Sequence, residues 1–471
     1  MNNKKNTKLG NKKIIAFIAI VIGFFMTMLD TTIVNIALPK ITESFNTNVQ
    51  DITWVSNGFN IALAVVILTA SRLGDQFGRK KLFLFGLFVF TLTSFFEGFS
   101  KSLEMLIVLR VIQGLAAGIM VPLTIPLSVE IFSVEKFGAI VGIWGAVGGC
   151  ASACGPGLGG LLTNAFNWQA VFFVNVPFGI ISFILSAVFL KESFDETATR
   201  TIDFGGIITI SISMLTLILG LVQGPDKGWG SMYILSLFLI AIVSIVLFAI
   251  IELKVKEPML PIQLLQSKYF NGASITMIFM TAGMMAGSFL VSFYLTRIMK
   301  LSALDAGLTI IAMPIAMVVL SLVAGTISNK VGARPFAILG IILASSSVYL
   351  FGTLGVESSR FDVIWRLVIC GAGIGMSMSP LMASAVRNAP RDKVGIASGV
   401  ANVSRTIGMV LGIAILATLL SHNMQNASLS NYAVYSKTFK TFSFILMFGI
   451  VFALFSDKSY KINNNSSNKT M

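Results

Sequence analysis

Of the twenty acidic side chains in this sequence, one, Asp30, falls deep inside a long apolar stretch, and Arg110 is the matching base in another. Hydrocarbon does not solvate ions. A charged side chain at mid-bilayer costs at least about 2.5–3.5 kcal/mol on insertion scales, so each one needs a reason. Desolvation favours the neutral form of a buried carboxyl, and a nearby cation favours the charged form. A carboxyl that trades a proton for a cationic or polar ligand couples the two movements, with a fixed guanidinium beside it as the tuning charge. The same pair would serve equally as a structural lock between helices. Arg405 sits in a later apolar stretch in a similar way, whereas Arg366 is close enough to an end to snorkel to the headgroups. Glu97 and Asp305 fall where apolar stretches end; such acids either line an exit for a cation or are simply solvated at headgroup level.

Other chemistries lack their residues. Cys150 and Cys154 share a helix face, but two thiols do not make a metal site, and the one histidine, His422, is far along the chain in a polar connector. The three cysteines form no disulfide framework. There is no GxxxxGK[ST] phosphate loop and no nucleophile–base pair. No metal, no cofactor and no enzymatic activity are expected, and an ion gradient is left as the energy source.

The elements that must position these residues follow from composition. Hydrophobic residues make up 55% and charged residues 11%, at a mean hydropathy of +0.86, against roughly a quarter charged in soluble chains. Runs of about 20 apolar residues are needed to cross roughly 30 Å of hydrocarbon. Fourteen candidates lie near 14–38, 52–71, 82–99, 104–128, 138–162, 168–190, 203–223, 231–251, 272–295, 304–327, 336–355, 363–386, 396–419 and 440–456. The first is too long for a signal peptide, lacks a small-residue cleavage site and is followed by many like it. The expectation is an all-α polytopic membrane protein. The formal charge of +14 resides mainly in the gaps between runs, which suits anionic lipid headgroups and excludes nucleic acid as a partner. With the N-terminus inside, 23 basic residues fall on the cytoplasmic side and 8 on the other, so both termini are expected in the cytoplasm.

The chain also repeats. Ser71–Gly86 aligns without gaps to Gly325–Gly340, at an offset of 254, matching Gly78 to Gly332 and Asp75 to Asn329. Parallel duplication predicts two six-helix bundles, 14–190 and 272–456, with two extra central helices at 203–251 and short tails at 1–13 and 457–471. A central site between the bundles, opened alternately to each face, is what such duplication implies. Gly74 and Gly78 permit a tight turn in which Asp75 caps a helix across the bundle interface, Arg79 pairs an acid, and Lys80 faces headgroups; contacts made in one state only would act as a latch. Plain positive-inside anchoring is the simpler reading of the basic residues. Gly155, Pro156, Gly159 and Gly160 give a kink and a smooth helix face, fit either for sealing the bundle interface or for ordinary close packing. The 38 Phe and 22 Met include enough pliable surface for a tolerant pocket without marking which residues line it.

Five motifs in order resemble the major facilitator superfamily, and within it the fourteen-helix drug:proton antiporter branch. They are Leu29-Asp-Thr-Thr-Ile-Val-Asn-Ile-Ala-Leu-Pro39, Gly74-Asp-Gln-Phe-Gly-Arg-Lys80, Arg110-Val-Ile-Gln-Gly114, Gly155-Pro-Gly-Leu-Gly-Gly160, and Trp168 with Asn175-Val-Pro177. The resemblance implies the major facilitator fold, proton as the coupling ion, a role in proton transfer for Arg110, and export of small hydrophobic or cationic substrates by a monomer in the cell membrane. An exporter or permease for one endogenous compound is the alternative. Few deep polar groups argue against a strongly hydrophilic substrate.

Overall fold

An apolar segment in lipid must satisfy its own backbone, and the helix does so within one segment. The computed structural model of the chain contains helices and no strand among the described residues, which are 2–47, 49–132, 137–194, 203–255, 258, 264, 266–301, 303–355, 357–387, 389, 394–424 and 431–457. The long helices of the first half are α1 (Asn2–Ser44), α2 (Trp54–Phe77), α3 (Arg79–Glu97), α4 (Leu103–Ile131), α5 (Phe137–Ala165) and α6 (Asn175–Phe189), the last entered through the short turn Ala170–Phe173. Next come α7 (Phe204–Lys227) and α8 (Met232–Glu252). The second half has α9 (Lys268–Met285), extended by π-turns at Ala286–Leu290 and Tyr294–Ile298, α10 (Ala312–Val331) and α11 (Arg334–Phe351). It ends with α12 (Arg360–Arg387), α13 (Val394–Met424) and α14 (Asn431–Met447).

Twelve helical stretches among the described residues are long and apolar enough to cross a membrane. The two other long helices are α3, with Arg79, Lys80 and Lys81 at its start and Glu97 at its end, and the 29-residue α5. Residues 2–13, read from sequence as a tail, continue α1 as helix, because each residue added to an existing helix gains a hydrogen bond without a new nucleus. Of the C-terminal tail, residues 458–471 lie outside the described residues.

Packing repeats as the sequence does. In the first half α1 packs on α4, α5 and α6, α2 on α4, and α3 on α4 and α6; in the second α9 packs on α12, α13 and α14, α10 on α12, and α11 on α12 and α14. The halves meet where α5 lies against α10 and α2 against α13. α7 and α8 pair with each other, and α7 rests on both α2 and α13. An aliphatic cluster that includes Ile61, Ala64, Ile218 and Val410 fills that junction, and the Trp229 Nε1 donates to Thr418 Oγ1 of α13 at 2.9 Å.

Close helix approach is built from glycine at matching places. A side chain at Gly114 of α4 would meet the Phe59 backbone, and one at Gly118 the Leu63 carbonyl oxygen at 2.6 Å; on α12, Gly371 and Gly375 face the backbones of Met313 and Met317. Both seams are the small-xxx-small pattern by which membrane helices approach. Gly114→Val is therefore expected to cost about 1–3 kcal/mol by overpacking, seen as a lower melting temperature of the detergent-solubilised protein. Gly160→Val, where nothing lies within 4 Å of the added carbon, should leave the melting temperature unchanged.

Candidate functional site

Asp30 of α1 is 0% exposed and Arg110 of α4 is 1% exposed, and the structure brings them together: Arg110 Nη1 donates to Asp30 Oδ2 at 2.5 Å. The rest of the guanidinium is also held. Nε donates to the Val55 carbonyl at 2.9 Å, Nη1 also donates to Gln113 Oε1, and the plane lies 4.2 Å from the Phe59 ring centroid. The second Asp30 oxygen accepts from Asn175 Nδ2 at 2.8 Å. Ser94 Oγ joins the two amides, accepting from Gln113 Nε2 at 2.9 Å and Asn175 Nδ2 at 3.1 Å. Side chains from α1, α3, α4 and α6, with a carbonyl of α2, thus enclose one ion pair. The local sequence explains the convergence. Gln113 is three residues past Arg110 on the same helix face, and Asn175 opens α6, where its side chain is free to turn inward.

A buried pair of this kind roughly balances desolvation against attraction, but either charge left alone is strongly unfavourable. The bonds join five helices, so a change at one would be felt on four others. Gln113, Ser94 and the carbonyl of Val55 are not singled out by the sequence, and Asn175 is visible only as part of a motif.

Glu97 is the last residue of α3, at the helix end where the sequence puts it, but it is 0% exposed, so it is not a solvated acid. Asp305 does sit at an open helix end, pairing with Arg360 at 3.1 Å with both side chains more than two-fifths exposed. Arg366 is largely buried, donating to the carbonyls of Leu350 and Asp362 at the ends of α11 and α12, and lies 4.3 Å from the Trp365 ring centroid. Arg405 of α13 is not part of the Asp30 cluster; Asn402 Oδ1 accepts from its Nη1 at 3.4 Å, and it has no ion pair among the described residues.

In the loop motif, Arg79 pairs with Asp75 itself at 2.8 Å, both buried. Lys80 Nζ donates to the carbonyls of Ala187 and Leu190, each at 2.7 Å, tying the motif to the end of α6 rather than to headgroups. Glu192 accepts from the backbone N–H of Lys80 at 2.9 Å and of Lys81 at 3.3 Å, capping α3. Gly78 at φ 113° makes the turn, and any side chain there would strike that carboxylate. The second half repeats the device: Gly332 has φ 89°, and Asp457 Oδ1 accepts from the Ala333 N–H at 3.0 Å, before α11. Gly74 is packed against Leu123 of α4.

The helix α5 motif divides differently from the expected bundle seal. Gly155 and Gly159 face Thr32 and Ile33 of α1, within the same half, and Gly160 is open; Pro156 lies within the unbroken helix. Gly145 and Gly149 of the same helix do meet the other half, against Ser321 and Val318 of α10.

Helices long enough to span lipid, packed in two matching sets of which the first encloses a charge pair, define a multi-pass membrane protein. Residues 20–413 match the family described as Major Facilitator Superfamily, and the chain belongs to it. It is 32% identical over 404 residues to the tetracenomycin C resistance and export protein of Streptomyces glaucescens, covering 86% of this chain and 75% of that one. It is 30% identical over 417 residues to the multidrug transporter protein MdtP of Bacillus subtilis (strain 168), covering 88% and 77%. The structure of the human organic anion transporter MFSD10 (TETRAN) superposes at a TM-score of 0.67 over 94% of this chain and 99% of that one, with 13% identity, a likeness of fold alone.

Arg110→Ala should lower stability by about 3–5 kcal/mol, the usual cost of orphaning one member of a buried pair. The double change Asp30→Asn with Arg110→Gln, which leaves no lone charge, should recover most of that loss. Thermal melting in detergent checks both.

Proposed function

We propose that the chain is a proton-coupled antiporter that exports small hydrophobic or cationic compounds by alternating access. The observation that carries this reading is the enclosed Asp30–Arg110 pair, where one titratable carboxyl is linked through Gln113, Ser94 and Asn175 to four helices. A proton on Asp30 removes its charge, frees the guanidinium and loosens the network, so protonation and helix movement become one event. The drug-export names of the two relatives support the substrate class and membership of the drug-efflux branch. The repeated packing supports two bundles, 14–190 and 272–456, moving about a central cavity, with 203–251 inserted between them. Fourteen spanning helices with cytoplasmic termini complete the reading, supported by the packing of α3 and α5 among the twelve apolar stretches and by the basic excess on one side. The paired Asp75 and Arg79 and the capping carboxylates Glu192 and Asp457 would brace the loop ends of α2, α3 and α11 through that motion.

In reconstituted vesicles carrying ethidium as cargo and a pH-sensitive dye, the native protein should move protons only when ethidium is present. Asp30→Asn should fall to the protein-free level. Coupling by the Asn variant equal to native would remove Asp30 from the mechanism.

The tetracenomycin relative, named for one compound, favours a second reading, an exporter of a single metabolite. A panel of unrelated lipophilic cations separates the two: efflux of several supports the first, and of none the second.

A further inference from the structure

The network around Asp30 leaves one buried acid unused. Glu97 is 0% exposed, and neither of its carboxyl oxygens has a hydrogen-bond partner among the described residues. It lies three residues after Ser94, one turn farther along the same face of α3, and Ser94 is the hydroxyl that joins Gln113 to Asn175. The charged groups whose fields reach it are Arg110 on α4 and Asp30 on α1. The segment leading into α6 and α6 itself contribute neutral groups, the buried Val171, Phe172 and Asn175.

The charges do not balance if every acid is ionised. Arg110 is already paired with Asp30, and Glu97 has no ion pair among the described residues, so two carboxylates would leave an uncompensated negative charge in a site shielded from solvent, and a buried acid in that position takes a proton instead. The hydrogen bonds say which acid holds it. Arg110 donates to Asp30, Gln113 and Val55, and Asn175 donates to Asp30. Charge is therefore stabilised on Asp30. Glu97 receives no donor.

We propose that Glu97 is a second proton-carrying residue of the transport cycle, neutral in the conformation described and releasing its proton when the α3–α4 end of the bundle opens to water. The step involves one proton and no electrons. The Glu97 O–H bond breaks, water at the opened end accepts the proton and solvates the carboxylate left behind, and Arg110 stays paired with Asp30. The reverse step reloads it. Two carboxyls and one guanidinium then hold a single exchangeable proton between them, which links the charge state of α3 to that of α1. The carrier role rests on the proton-coupled reading above; the protonation itself does not.

The test uses the full chain in lipid vesicles. Infrared spectra in water and deuterated water should show a deuterium-sensitive carbonyl band of a protonated carboxylic acid, absent in Glu97→Gln. With ethidium as cargo, Glu97→Gln, fixed in the neutral form at nearly the same shape, should keep downhill efflux near the native rate. Its efflux driven by a pH gradient should fall by about tenfold or more. Glu97→Asp should restore part of that drive with a displaced pH profile, which a purely structural side chain would not produce. A native spectrum without a Glu97-dependent band, in a protein whose transport still follows the pH gradient, overturns this inference alone. Glu97→Gln coupling as tightly as native does the same. A band present without any pH-driven transport overturns the antiport reading, and the carrier role falls with it.

Discussion

Lipid offers no partner to a polar group, and this constraint organises the protein. Every ion that leaves water must find its compensation inside the helices. Asp30 and Arg110 meet it mutually, two neutral side chains and a carbonyl complete their hydrogen bonding, and Ser94 ties the two amides together. The cost is that five helices must arrive at one point in register. The glycine seam of α4 against α2 delivers Arg110 beside Phe59 and Val55, and the opening of α6 at Asn175 delivers the amide. The site is as much a product of backbone approach as of charge.

The same constraint shapes the loop ends. Helix starts carry unsatisfied N–H groups, and α3 and the start of α11 receive carboxylates from residues far along the chain, Glu192 and Asp457. Each acid arrives just after the last helix of its half. Duplication has thus preserved an interaction whose partners are not near one another in sequence, and each half is closed on itself by its own end.

What the sequence made legible followed from rarity. Charges in apolar runs are few, so Asp30 and Arg110 stood out, and glycine spacing marked the turn at Gly78. Hydroxyls are common in these helices, and nothing distinguishes Ser94 from its neighbours until the fold places it between two amides. Glu97 is legible as an acid at the end of α3, but its burial is not, since that depends on how the neighbouring helices pack over the helix end. Glu192 and Asp457 carry no local signal, since their function depends on backbone 112 and 124 residues away. The glycines of α5 were legible as a smooth face but not by direction, because which glycine meets which half is decided by how the helix is rotated.

The insertion α7–α8 touches both halves, yet unequally. Apolar side chains of α2, α7 and α13 share one cluster, whose contacts can shear without breaking a directional bond. Toward α13 it is fastened by the indole of Trp229 on Thr418. The bond with a direction thus joins the insertion to the second half, and any displacement between the halves would fall first on contacts that lack one.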